Sequence, residues 1–148
     1  MLNNGLQVIW QTGKPYSSKA KERAGGLSDV WVNEFITQME KAYAASDIVI
    51  SRAGAMAIAE LCVVKKPVLF VPYPFAAEDH QTVNAMNLVQ KNAALMIEDK
   101  EATEKLVPEI IALAKDEGKQ MELINNIGRH AVLNADKHIA EEIFKKIG

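Results

Sequence analysis

The chain has 148 residues, with 17 Lys plus Arg against 19 Asp plus Glu and 49% apolar residues. That length fits one ordinary domain, able to bury roughly 70% of the surface its unfolded chain exposes. A net charge of −2 without a long basic stripe argues against nucleic acid as a partner. Cys62 is the single cysteine, so disulfide scaffolds and cysteine-rich metal sites are excluded and a reducing compartment fits. No apolar run reaches the ~20 residues of a membrane span. With no signal peptide in front, a cytoplasmic protein is expected.

Residues 6–10 (Leu-Gln-Val-Ile-Trp) predict a short strand, broken by Gly13, Lys14 and Pro15. Residues 19–24 read as a helix stopped by Gly25 and Gly26. Residues 29–35 alternate apolar and polar side chains and predict a second strand. Thr37 and Glu40 stand three apart, the spacing of a capping box, ahead of a helix to about Ser46. Residues 47–51 carry Ile-Val-Ile, a buried strand by β-branching and shortness. Gly54 opens an Ala/Met/Ile/Leu helix to Val64, and residues 67–72 form a strand with proline at both ends. After a loop over residues 73–78, Asp79 is expected to cap a helix to about Lys91. Residues 94–97 predict a last strand. Helices over 101–116, 119–134 and 136–146 follow, with Gly118 and Gly128 as interruptions. Strand–helix alternation with apolar strands predicts an α/β fold, a parallel sheet covered by helices on both faces. The helical tail, about residues 101–148, would cover the sheet or pack on a neighbouring lobe.

Ligands of open parallel sheets bind beyond the carboxyl ends of the strands. Three such ends carry unusual residues. At residues 51–60 (Ser-Arg-Ala-Gly-Ala-Met-Ala-Ile-Ala-Glu) a strand feeds a small-residue turn that opens a helix. The free N–H groups of Ala55, Met56 and Ala57 would point at an anion such as a diphosphate. The other reading is a plain strand-to-helix turn that needs Gly54 for packing. Glu60 lies two turns in. It is either an ordinary solvated carboxylate or an acceptor for a ribose 2′,3′-diol, which its two oxygens suit. At the next strand end, His80, Gln81 and Asn84 open a helix with donors and acceptors that suit sugar hydroxyls. Ordinary capping by Asp79 is the plainer account of that segment. His80 lacks a second His or Cys at metal-ligand spacing, and His130 and His138 read as surface residues of the tail. At the third end, around Ile36, exposed backbone groups could pair with a flat base edge, although a simple turn explains it as well. No nucleophile triad, carboxylate pair or Walker-type loop is present.

Together these segments resemble the MurG family of UDP-N-acetylglucosamine transferases. The resemblance is carried by residues 8–14 (Val-Ile-Trp-Gln-Thr-Gly-Lys), Phe35-Ile36 with residues 42–47, residues 51–55 with Glu60, residues 67–72 and residues 78–85 (Glu-Asp-His-Gln-Thr-Val-Asn-Ala). It implies a Rossmann-like C-terminal, donor-binding lobe of a two-lobed GT-B glycosyltransferase. The partner ligand would be UDP-N-acetylglucosamine, with no metal and no cofactor. The backbone at Ile36, with Met39 nearby, would read uracil. Gly54, Ala55, Met56 and Ala57 would hold the diphosphate, with Arg52 close by. Glu60 would take the ribose hydroxyls, and His80 and Gln81 the N-acetylglucosamine, with Asn84 just behind. The reaction implied converts lipid I to lipid II with anomeric inversion, in cell-wall biogenesis and thereby cell shape and division. It would run at the cytoplasmic face of the plasma membrane. Two departures from the family's pattern stand out. Ala57 replaces the usual Ser or Thr, and residues 1–5 stand where a strand and a Gly-rich loop normally precede. The expectation is therefore a single domain that lacks its first strand and the acceptor lobe with its catalytic base. Such a piece would be inactive alone, and a homodimer could cover the surface so exposed. A UDP-sugar epimerase of similar architecture and a free-standing nucleotide-sugar-binding subunit remain as alternatives.

Overall fold

The computed structural model describes residues 1–147. Strand β1 (Val8–Gln11) runs parallel to β2 (Val30–Asn33), with Val8 opposite Val30 and Gln11 opposite Asn33. Helix α1 (Ser17–Ala24) connects them. Helix α2 (Met39–Ala45) leads to a second parallel sheet in the order β3 (Val49–Ser51), β4 (Val68–Phe70), β5 (Leu95–Met96). Helices α3 (Ala55–Val64) and α4 (His80–Val89) make its crossovers. The tail folds into α5 (Ala102–Ala114), α6 (Glu117–Gly128) and α7 (Ala135–Ile147).

β4 organises the core. Its three residues are wholly buried, as expected of a central parallel strand covered on both faces. Side chains alternate across a strand, and here they divide the core in two. Val68 and Phe70 pack with Leu61 and Cys62 of α3, Ala85 and Leu88 of α4, and Ile127 of α6. Leu69 and Val71 pack with Ile97 and Ile110, and Met1, Leu6 and Ile48 close that face. Burial also pushes the Cys62 thiol up from its ordinary range.

Strand–helix alternation and parallel pairing follow the sequence-based expectation, but the single sheet does not. β1–β2 and β3–β4–β5 are separate ladders. Val49 N–H donates to the Pro67 carbonyl and Val71 N–H to the Ser51 carbonyl, both at 2.9 Å. Val49 and Ser51 therefore direct their peptide groups at β4, and the alternation turns those of Ile50 to an open edge. Ile9, the matching residue of β1, and Ile50 remain 41% and 43% exposed. Leu6, expected in the first strand, instead packs on the second core face.

Both expected N-terminal caps need correction. α2 starts at Met39 with Gln38 at the N-cap and no side-chain hydrogen bond there, so Thr37 and Glu40 form no capping box. Asp79 does stand at the N-cap of α4 but caps no backbone N–H. With Glu78 it adopts left-handed backbone (φ 52° and 53°), and its carboxylate accepts from Thr82 Oγ1 at 2.6 Å. Gly118 interrupts nothing. The helix break lies just before it, where Asp116 accepts from Lys119 N–H at 2.8 Å and caps α6. α6 ends at Gly128, well short of residue 134.

Candidate functional site

Parallel strands of one sheet bring their carboxyl ends to one side, so the loops after β3 and β4 share an end of the second sheet, and the loop after β2 leaves the carboxyl end of the first. Two side chains of α4 bind the β3 and β4 loops together. Gln81 Oε1 accepts from Ala53 N–H at 3.2 Å and from Tyr73 N–H at 3.0 Å, and Asn84 Nδ2 donates to the Ala53 carbonyl at 3.3 Å. Both peptide groups of the fully buried Ala53 are thus satisfied by helix α4. The Gln81 amide hydrogens and the Asn84 carbonyl oxygen take no part in these bonds. Gln81→Ala is expected to leave two N–H groups unpaired and to lower stability by about 1–3 kcal/mol, read as a shift in the urea midpoint.

The Gly54 turn sits on this scaffold. Gly54 has φ −66° and ψ 148°, which any residue adopts, and a Cβ added there would meet nothing within 4 Å. Neither backbone strain nor packing accounts for a glycine, which disfavours the packing explanation and leaves open space above the turn. The helical ladder begins with Ile58 N–H on the Gly54 carbonyl at 3.0 Å. The N–H groups of Ala55, Met56 and Ala57 precede it as the helix's free donors. Met56 is 84% exposed beside them.

Arg52 points along the end of β4. Its Nη1 donates to the carbonyls of Val71 (3.0 Å) and Pro72 (3.1 Å) and pairs with Asp99, while its guanidinium carbon lies 5.7 Å from the centre of the Tyr73 ring. Asp99 thus neutralises the cation nearest the turn. His80, the first residue of α4, sets Nδ1 against the Ala77 carbonyl. A carbonyl only accepts, so Nδ1 carries the hydrogen and Nε2 faces outward as an acceptor when the ring is neutral.

Glu60 is exposed on α3 and accepts from the Tyr43 hydroxyl of α2 at 3.0 Å through Oε2. Tyr43 packs on the first core cluster. Burial first, then the hydrogen bond and charge of Glu60, push its hydroxyl up to about 12. Between the β1–β2 pair and α2 lies a cleft of about 400 Å3, lined by Ile9, Trp31, Asn33, Ile36, Thr37 and Ala42 among others. There the Ile36 N–H donates to Gln11 Oε1 at 2.8 Å. This backbone donor is therefore satisfied by a side chain of β1. Met39 is half-buried at the start of α2.

The expected residues therefore fall into two groups. Arg52, the Gly54 turn, Gln81 and Asn84 form one bonded unit, with His80 beside it. Ile36 and Met39 belong to the α2 side, which reaches α3 through Tyr43 and Glu60. His130 and His138 lie in the tail, outside both groups. Tyr43, Gln11 and Asp99 were missed by the sequence reading. Each acts through a partner distant in sequence, and spacing carries no signal of that. Among the described residues no three His, Cys, Asp or Glu side chains gather as a metal site, and no helix is long and apolar enough to cross a membrane.

Comparison with known proteins agrees with this architecture. The chain is 47% identical over 146 residues to the UDP-N-acetylglucosamine--N-acetylmuramyl-(pentapeptide) pyrophosphoryl-undecaprenol N-acetylglucosamine transferase of Bacteroides thetaiotaomicron, covering 97% of this chain and 39% of that protein. The enzyme of the same name from Parabacteroides distasonis is 48% identical over 144 residues, again at 39% of its length. The chain thus spans about two-fifths of the curated relatives it matches. The crystal structure of Acinetobacter baumannii MurG superimposes with a TM-score of 0.82 at 29% identity, over 95% of this chain and 43% of that one. The glycotransferase of kitacinnamycin shares the fold, with a TM-score of 0.61 at 20% identity over 83% of this chain and 30% of that one. Residues 1–143 match the glycosyltransferase family 28 C-terminal domain, and the chain belongs to that family.

Proposed function

We propose that this chain binds UDP-N-acetylglucosamine across the carboxyl ends of β2, β3 and β4, as the donor-binding part of a glycosyltransferase. The observation that carries the reading is the Gly54 turn, an unobstructed glycine ahead of free N–H groups on a ten-residue helix. Such a terminus attracts a diphosphate through oriented dipoles and unpaired donors. The backbone of Ile36, with Met39 alongside, takes the uracil once the Gln11 amide swings away. Glu60 takes the ribose. Gly54, Ala55, Met56 and Ala57 hold the diphosphate, and Arg52 adds N–H donors through the nitrogens not bound to the β4 end or to Asp99. His80, the free amide hydrogens of Gln81, and Asn84 face the sugar.

In a longer protein of the relatives' kind, the sugar passes to lipid I to give lipid II with inversion. UDP leaves with its growing negative charge against the α3 N-terminus. The acceptor and the base come from outside this chain, which alone transfers no sugar. The complete enzyme works peripherally at the cytoplasmic face of the membrane and so serves cell shape and division. The open edges of β1 and β3 supply a surface through which two copies can pair, which sedimentation across a concentration series reads directly.

Calorimetric titration with UDP-N-acetylglucosamine and UDP-glucose tests the reading. Tighter binding of the N-acetylated donor supports it. Equal affinity for both would reject the sugar assignment, and binding of neither would reject a working donor site.

A further inference from the structure

We infer that Tyr43 is a positioning residue for the ribose site: its hydroxyl, donated to Glu60 Oε2 at 3.0 Å, holds the carboxylate with its remaining lone pairs free for the ribose diol. The inference rests on the reading of Glu60 as the ribose acceptor.

Glu60 stands on the sixth residue of α3, one turn beyond Met56 and Ala57 on the same side of the helix. Side chains lean toward the N-terminus of their helix, so its carboxylate leans toward the Ala55–Ala57 donors. A ribose and the diphosphate attached to it need such neighbours. Glu60 is exposed, however, and an unrestrained glutamate samples many rotamers. Binding a diol would have to freeze them, and a restraint already present in the free protein removes part of that cost.

Tyr43 is suited to be that restraint. Its ring packs on the cluster that contains Ala53, Leu61 and Phe70. The hydroxyl is thus fixed from the core side, while Glu60 reaches it from the solvent side. A phenol has one hydrogen to donate, and here the carboxylate receives it. A carboxylate accepts at about four lone-pair sites, so roughly three remain, enough for two ribose hydroxyls. Burial and the adjacent negative charge keep the proton on Tyr43 throughout the neutral range. Donor and acceptor roles within the pair are therefore fixed.

The same bond would exist if Tyr43 merely joined α2 to α3, and binding energetics separate the two roles. UDP and 2′-deoxy-UDP are titrated calorimetrically into the 148-residue chain and into Tyr43→Phe, Glu60→Ala and the double variant. Phenylalanine keeps the packed ring, and matching thermal unfolding curves verify the fold. Tyr43→Phe is expected to weaken UDP about three- to tenfold, the scale of a lost side-chain restraint. It should weaken 2′-deoxy-UDP less, and have no further effect once Glu60 is alanine. UDP affinity equal to or tighter than wild type in Tyr43→Phe, with Glu60→Ala still impaired, would overturn the positioning role and spare the ribose site. Equal weakening of both nucleotides, undiminished in the Glu60→Ala background, would mark Tyr43 as structural only. Failure of wild type to bind UDP, or an unimpaired Glu60→Ala, would remove the ribose reading and this inference with it.

Discussion

Replacement of Phe70 by alanine is expected to lower the unfolding free energy by about 3–5 kcal/mol, the range for truncating a buried aromatic. Phe70 is fully buried on β4, between Ser51 of β3 and Met96 of β5. It packs in the cluster to which α3, α4 and α6 all contribute. Helices on one face cannot close the void without shifting the strand, so transfer and cavity costs add. Urea unfolding should show a lower midpoint with an unchanged slope. The effect reaches the candidate site, because Phe70 lies two residues before Pro72, whose carbonyl receives Arg52. A loss below about 1 kcal/mol would mean that this face is loosely packed and collapses readily.

Glu60→Ala is expected to act oppositely, with little effect on stability and a large one on binding. Its side chain is exposed and bonds only Tyr43 among the described residues. A carboxylate holding two ribose hydroxyls is worth about 1.5–3 kcal/mol, or roughly ten- to hundredfold in affinity for the UDP-sugar. Calorimetry on the variant measures this directly. Unchanged affinity would place the ribose elsewhere.

Much of this arrangement was legible in the sequence because the relevant signals are local. Val68, Leu69 and Phe70 read as a buried strand from an apolar run between two prolines, and β-branching marked Val49 and Ile50 in the same way. Gly54 ahead of Ala55-Met-Ala announced a helix N-terminus. The division into two ladders was not legible, because apolar pattern identifies strands but not which edges pair. The caps failed for a related reason: Thr37 and Glu40 have capping-box spacing, yet the helix begins two residues after Thr37, so neither side chain meets its backbone partner. Tyr43 and Glu60 lie 17 residues apart on separate helices, and only packing brings them together. Gln81 was read as a ligand contact, and its carbonyl oxygen proved to be structural.

Backbone amide chemical shifts recorded during a titration with UDP-N-acetylglucosamine locate the donor on the chain residue by residue. A donor bound at the strand ends perturbs amides that cluster at Ile36, at Ala55, Met56 and Ala57, around Glu60 and Tyr43, and at His80 and Gln81, with α6 and α7 unmoved. Perturbations confined to the helical tail, or none at saturating donor, would contradict a donor site at the strand ends.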